Sequence, residues 1–312
     1  MSRQVIVGMD PFRTDEEPIA LGALLGRATG APLLIVGVYP DATTGLTLGA
    51  AERDRAAKEH ALEGIDRVLR NLGAGDGEIH GARFRTMAVS GSSPAHALHD
   101  VASREQPALL VVGSTHRGAI GRIVPGSVTE RVVHGSPCPV AVAPRGFDDL
   151  GRGFKRVGVA YAGTAEGQSA LESAVTLAAN GDARLIAYTV VDPLAHPTGY
   201  ATFPPMVAEA EELKRRAGLA EAQLKHKLAE VAPGMDTEAV IIGDGNIDEL
   251  VTRTADLDLL ICGSRGYGPL SAVLLGSVTH TLMRKSACPL VLIPRGVPNA
   301  FTPLLSSEAV AQ

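Results

Sequence analysis

The chain has 312 residues, 45% hydrophobic and 20% charged, with a formal net charge of −5. That length suits two domains of about 150 residues, each large enough to bury a core without staples. An acidic balance, 4% aromatics and no Trp argue against a nucleic-acid surface. No apolar run reaches the roughly 18 residues of a membrane helix, and three cysteines with no signal peptide point to a cytoplasmic protein with free thiols.

In chain order, QVIVGM (4–9) has the length and apolarity of a strand, a polar start at Thr14–Glu17 opens a helix to about Thr29, and PLLIVGVY (32–39) is a second strand. Residues 50–72 read as helix and RFRTMAV (83–89) as strand. A short helix from Pro94 to Arg104, the strand ALLVVG (108–113), a helix over 127–134 and the strand PVAVAP (139–144) follow. Continuous apolar runs alternating with helices predict parallel strands buried on both faces. The second half repeats the scheme with RVGVAY, a helix over 165–179, RLIAYTVV and a long helix near 205–231. The long helix carries an apolar stripe at Leu213, Ala217, Ala220, Leu224, Leu228 and Val231, with Glu211/Arg215, Glu212/Arg216 and Glu221/Lys225 as expected surface pairs.

The halves are copies. GSTHRGAIGRIVPGSVTE (113–130) matches GSRGYGPLSAVLLGSVTH (263–280), and SPCPVAVAPRG (136–146) matches SACPLVLIPRG (286–296), both with an offset of 150. The joint falls in RGFDDLGRGFK (145–155), rich in glycine and charge. Each copy places glycines between a strand and a helix that begins near Ser127 or Ser277. Glycine allows positive φ and close ligand approach, and a helix start offers free N–H groups to an anion. Arg265 adds a cation, so the segment suits phosphate. The bland reading is a tight turn with a serine cap, and Ser127-Val-Thr-Glu130 has the form of a capping box.

The spacing G-2X-G-9X-G-S, met in full at Gly263, Gly266, Gly276 and Ser277, resembles the universal stress protein family. The resemblance covers both copies, taken as domains over 2–146 and 155–296, with 297–312 as a mobile tail. It implies two tandem α/β units, each a five-stranded parallel sheet of order 3-2-1-4-5 with helices on both faces, an adenine nucleotide alpha hydrolase-like fold. It also implies ATP, with or without Mg, as ligand. In the first copy the nucleotide site would comprise Gly8, Asp10 at the ribose, Val38 at the adenine, and Gly113, Gly126, Ser127 and Val128 at the phosphates. His116 stands where the second glycine belongs, and reads either as a loss or as a phosphate donor beside Arg117. In the second copy it would comprise Ala160, Val190, Gly263, Arg265, Gly266, Gly276, Ser277 and Val278, with Ala162 where the acidic residue belongs.

The implied role is a stress-linked regulator or sensor without efficient turnover. The alternatives are an interaction scaffold with vestigial sites and a weak ATP hydrolase. The partners implied are adenine nucleotide, unidentified proteins, and the other copy, packed through the terminal apolar strands as an intrachain pseudo-dimer, with a homodimer beyond it. His96 and His99 read as a surface pair rather than metal ligands. Cys138 and Cys288 read as packed apolar residues, and Cys262, next to Gly263, as a thiol whose alkylation would report on the site. The segment DPLAHPTGYATFPPM (192–206) is either an unstructured connection or a lid over the second copy.

Overall fold

The structure is a computed structural model and describes residues 4–41, 49–115, 120–148, 151, 153–191, 206–243, 245–264, 276–297 and 299–305. The first copy runs β1 (Val5–Met9), α1 (Glu17–Thr29), β2 (Leu33–Tyr39), α2 (Ala50–Asn71), β3 (Glu78–Ile79), β4 (Ala82–Ser90), α3 (Pro94–Glu105), β5 (Leu109–Gly113), α4 (Ser127–Gly135) and β6 (Val140–Ala143). The second runs β7 (Arg156–Ala160), α5 (Ala165–Gly181), β8 (Arg184–Val190), α6 (Met206–Val231), β9 (Thr237–Ile242), α7 (Ile247–Arg253), β10 (Leu259–Gly263), α8 (Ser277–Lys285) and β11 (Leu290–Ile293), followed by the short α9 (Thr302–Leu305).

Local chemistry sets the helix ends. Pro18 stands in the first turn of α1, and Gly30, at φ 69°, ends it in the left-handed region. Thr164 caps α5, accepting the Gly167 N–H at 3.1 Å. Pro94 opens α3 after the extended Ser93.

The described strands form one sheet in the order β3-β4-β2-β1-β5-β6-β11-β10-β7-β8-β9. Within each copy the five main strands are parallel and follow the expected order 3-2-1-4-5. The two-residue β3 folds back antiparallel on β4, an addition that the strand signals did not announce. The copies join where β6 and β11 pair antiparallel, with Val140, Ala141 and Val142 opposite Leu292, Val291 and Leu290. Two apolar strand edges are thereby covered, as such edges must be.

Strand residues alternate between two cores, one on each face. Val5, Val7, Ile35, Val159 and Ile261 pack with α1, α2, α5 and α6, while Ile6, Val36, Ile186 and Leu260 pack with α3, α4, α7 and α8. Both cores run through both copies. Across the joint, the Ile123 N–H donates to the Ser286 carbonyl at 2.8 Å, Arg284 pairs with Glu130 at 3.4 Å, and the Asn180 amide donates to the Ala28 carbonyl.

Several details differ from the sequence reading. Arg215 pairs with Glu212 at 2.6 Å, one turn position short of the expected partners, whereas Glu221 and Lys225 do pair. In the stretch read as a mobile tail, residues 299–305 dock on α5. Asn299 Nδ2 donates to the Glu172 carbonyl at 3.0 Å, the Ala300 N–H donates to Ser173 Oγ at 2.9 Å, and Phe301 and Leu304 are buried. Apolar anchoring by these two side chains outweighs the usual fraying of a chain end. Among the described residues no helix is long and apolar enough to cross a membrane. The Pro-rich segment lies outside the described residues up to position 205, so the lid reading falls outside them too.

Candidate functional site

Each copy opens a cleft at the carboxyl ends of its first and fourth strands, where the strand order reverses. In open α/β sheets ligands bind at that switch point. The first cleft encloses about 540 Å³ and brings together Gly8, Asp10, Val38, Gly113, Gly126, Ser127 and Val128. The second encloses about 380 Å³ and brings together Ala160, Val190, Gly263, Gly276, Ser277 and Val278, with Ala162 on its wall. Both volumes fall in the range of small-molecule sites. His116, Arg265 and Gly266 lie outside the described residues.

The glycines of these clefts are there for different reasons. Positive φ, expected at the motif, is found at none of Gly113, Gly126, Gly263 and Gly276; Gly126 has φ −84° and Gly276 φ −65°. Any residue adopts that backbone. Packing accounts for Gly263, because a Cβ there would stand 2.6 Å from the Glu166 carbonyl oxygen in the first turn of α5. Packing also accounts for Gly8, whose Cβ would stand 2.8 Å from Leu98 Cδ1. Among the described residues a Cβ on Gly126 meets nothing closer than Thr115 at 3.5 Å, an ordinary contact. Neither φ nor packing calls for glycine at that position, which faces the cleft at the start of α4.

The repeated Gly-Ser-Val-Thr resolves into parts. Gly126 and Gly276 are the cap residues, so Ser127 and Ser277 are the first helical residues and no side chain caps either helix. The expected capping box at Ser127 is therefore not formed, and the first turn of each helix lines its cleft with no side-chain cap among the described residues. The threonines are structural. Thr129 Oγ1 donates to the Gly113 carbonyl at 2.7 Å and Thr279 Oγ1 to the Gly263 carbonyl at 3.1 Å. In each copy this ties the helix to the end of the fourth strand. Sequence reasoning missed this role, although the repeated threonine carried the signal.

The Asp10 end of the first cleft is acidic and already engaged. Asp10 Oδ1 accepts the Phe12 N–H at 3.0 Å, and Oδ2 pairs with Arg13 Nε at 3.1 Å. Both groups are well exposed, so the pair is weak and a ligand can displace it. Phe12 stacks edge-on against His60, with centroids 5.5 Å apart, at the rim. Tyr39 lines this cleft, and burial, then the Asp54 carboxylate, push its phenol above the ordinary value. In the second cleft Tyr188 is pushed up to about 12 by burial, and Glu166 reaches Arg295 at 3.6 Å.

Other candidates fall away. His96 faces Asp100 at 3.6 Å, but His99 is not a surface residue. Its ring is half-buried, and Nε2 lies 3.0 Å from the Val132 carbonyl, bridging α3 to α4. Among the described residues no three His, Cys, Asp or Glu side chains gather as for a metal ion. Cys138, Cys262 and Cys288 are all buried, and burial pushes their thiols up to about 11, 12 and 12. Cys262 is thus sealed against alkylation in the folded protein, against expectation.

Comparison with known proteins follows the same division into halves. A profile described as the universal stress protein family matches residues 1–144 and 153–294. A universal stress protein of Mycobacterium tuberculosis is 28% identical over 204 residues, covering 63% of this chain and 68% of the relative. Another, from Mycolicibacterium smegmatis, is 23% identical over 300 residues, covering 93% and 96%. In fold, the chain is similar to the crystal structure of a universal stress protein from Archaeoglobus fulgidus, with a TM-score of 0.61 and 19% identity over 95% of this chain and 100% of that one.

Proposed function

The chain belongs to the universal stress protein family, and on that premise we propose that it binds adenine nucleotide, ATP with or without Mg, in its two clefts. It acts in the cytoplasm as a stress-linked regulator or sensor rather than as an efficient enzyme. The observation that carries this reading is Gly126, a glycine with ordinary φ whose Cβ would make only ordinary contact, with Thr115 at 3.5 Å, among the described residues, set on the first cleft at the start of α4. A phosphate brought against those N–H groups needs the space that a side chain would fill. Asp10 supplies an acceptor for ribose hydroxyls and Val38 an apolar wall for the base. In the second cleft Gly276, Ser277 and Val278 serve the phosphates and Val190 the base, with no carboxylate at Ala162. Three buried thiols suit a reducing compartment.

The test is equilibrium dialysis of the full chain with radiolabelled ATP, together with chromatography of whatever nucleotide the purified protein releases on denaturation. Saturable ATP binding supports the reading, and its absence at millimolar ATP refutes it. A second reading, an interaction scaffold with vestigial clefts, draws on the Asp10–Arg13 pair, which occupies the sugar acceptor before any ligand arrives. Phosphate release on prolonged incubation would instead mark a weak hydrolase.

A further inference from the structure

The two clefts carry the same serine after the first motif glycine and use it differently. In both copies the backbone is held alike: the Ser114 N–H donates to the Ala143 carbonyl at 3.1 Å, and the Ser264 N–H to the Ile293 carbonyl at 2.9 Å. The Ser114 hydroxyl also donates to the Ala143 carbonyl, at 2.8 Å. Ser264 is 1% exposed and lines the second cleft, and its buried hydroxyl has no hydrogen-bond partner among the described residues. A buried polar group without a partner is rare and destabilising, and such groups concentrate where a ligand supplies what the protein does not.

The surroundings indicate which ligand atom it serves. Ser264 stands on the wall shared by Gly263, Gly276 and Ser277, at the start of the nine-residue α8, whose first turn has no side-chain cap. The hydroxyl of Thr279 is already committed to the Gly263 carbonyl. Ser264 therefore holds a donor in reserve beside a helix start that has no side-chain cap among the described residues, an arrangement for an anionic oxygen. We infer that Ser264 is a ligand-binding residue of the second cleft that donates to a phosphate oxygen, whereas Ser114 is purely structural in the first. The inference rests on the nucleotide reading of that cleft. It gives the second copy a contact at the phosphates in place of the carboxylate missing at Ala162, so its binding is weighted toward the phosphate chain.

Function and stability separate here, which makes the inference testable. Ser264→Ala, made in the full chain with the first cleft blocked by Gly126→Val, removes an unpartnered buried hydroxyl and a ligand contact together. It is expected to melt at the same temperature as its parent or higher, and to bind ATP and inorganic tripolyphosphate about tenfold more weakly, the effect of one hydrogen bond to a charged group. Ser114→Ala, made with the second cleft blocked by Gly276→Val, is expected to melt lower by roughly 2–4 °C and to bind ATP unchanged. Unchanged ATP and tripolyphosphate binding by Ser264→Ala overturns the inference while leaving the nucleotide reading intact. A drop in melting temperature matching that of Ser114→Ala, with binding unchanged, overturns it as well. A parent that binds tripolyphosphate but not ATP, with the response lost in Ser264→Ala, refutes the nucleotide reading and upholds the serine. No response of the parent to either probe overturns both.

Discussion

Ala141 of β6 lies opposite Val291 of β11, and the two residues hold the same place in their copies, 150 positions apart. The flanking pairs, Val140 with Leu292 and Val142 with Leu290, obey the same rule. The antiparallel register is thus centred on a local twofold axis, and the joint has the form of an isologous dimer interface closed within one chain.

From this joint it follows that the linker does not hold the copies together. A protease site inserted beside the exposed Gly151 should yield two fragments that still elute as one particle near 32.3 kDa after cleavage. Ala141→Asp buries an unpaired carboxylate at the centre of the joint, at a cost of several kcal/mol. Gel filtration of the cleaved variant should then show separated or aggregated halves. Separation of the unsubstituted fragments without denaturant would contradict the interface.

At the start of α4, Gly126→Val should cost folding little, under about 1 kcal/mol, because among the described residues its Cβ meets only Thr115, at 3.5 Å. ATP binding at the first cleft should fall more than tenfold, read by calorimetric titration. Gly8→Val is the contrast: its Cβ would strike Leu98 at 2.8 Å, so stability should fall first. Parent-like titration of Gly126→Val would remove the phosphate role from the first cleft.

At the sugar end, Asp10→Ala should weaken ATP at the first cleft about tenfold, the effect of losing a charged acceptor. Ala162→Asp should strengthen the second cleft by a similar factor, since residue 162 already lines it. The two sites lie in separate copies, so the effects should be independent. Restoring His116→Gly as well completes the first motif and tests whether the histidine weakens or supports binding. Flat titrations for all three variants would detach these positions from nucleotide binding.

Alkaline pH should destabilise the protein through its thiols. Cys138, Cys262 and Cys288 are pushed by burial from 9.0 up to about 11, 12 and 12. Once pH passes about 9 the unfolded chain releases protons that the folded chain retains. The stabilisation is therefore complete below pH 9 and declines as pH rises toward 11 or 12. Melting temperatures over that window should fall, and Cys138→Ala should flatten the decline. Thiol titration at pH 8 should find none of the three reactive until denaturant is added. Fast labelling of the native protein would refute their burial.

Much of this architecture is legible in the sequence because it rests on patterns that a linear chain displays. Apolar runs such as LLVV before Gly113 and LLIC before Gly263 mark buried parallel strands, and a repeated segment marks a repeated unit. What escapes is the reason behind each repeated residue. Glycine at 263 is set by the backbone of α5, at 8 by Leu98 and at 126 by neither, and no local pattern distinguishes the three. Ser136 and Ser286 donate to the carbonyls of Cys138 and Cys288, at 2.8 and 3.0 Å, so that repeat serves a turn rather than a ligand. His99 resembled a surface residue because its partner, the Val132 carbonyl, lies on another helix. Contacts across elements decide such cases, and sequence spacing does not report them.

The axis between Ala141 and Val291 also bears on how the clefts came to differ. In an assembly of two identical chains every substitution strikes both binding sites at once, so a loss at one is a loss at both. Joined head to tail, the halves keep the same seam yet are free to change separately. One can hold Asp10 while its counterpart becomes Ala162, and one can commit a serine hydroxyl to the backbone while the other leaves it unspent. Covalent linkage thus converts an enforced equality into a freedom to differ, with two unlike clefts at fixed one-to-one stoichiometry in a single molecule.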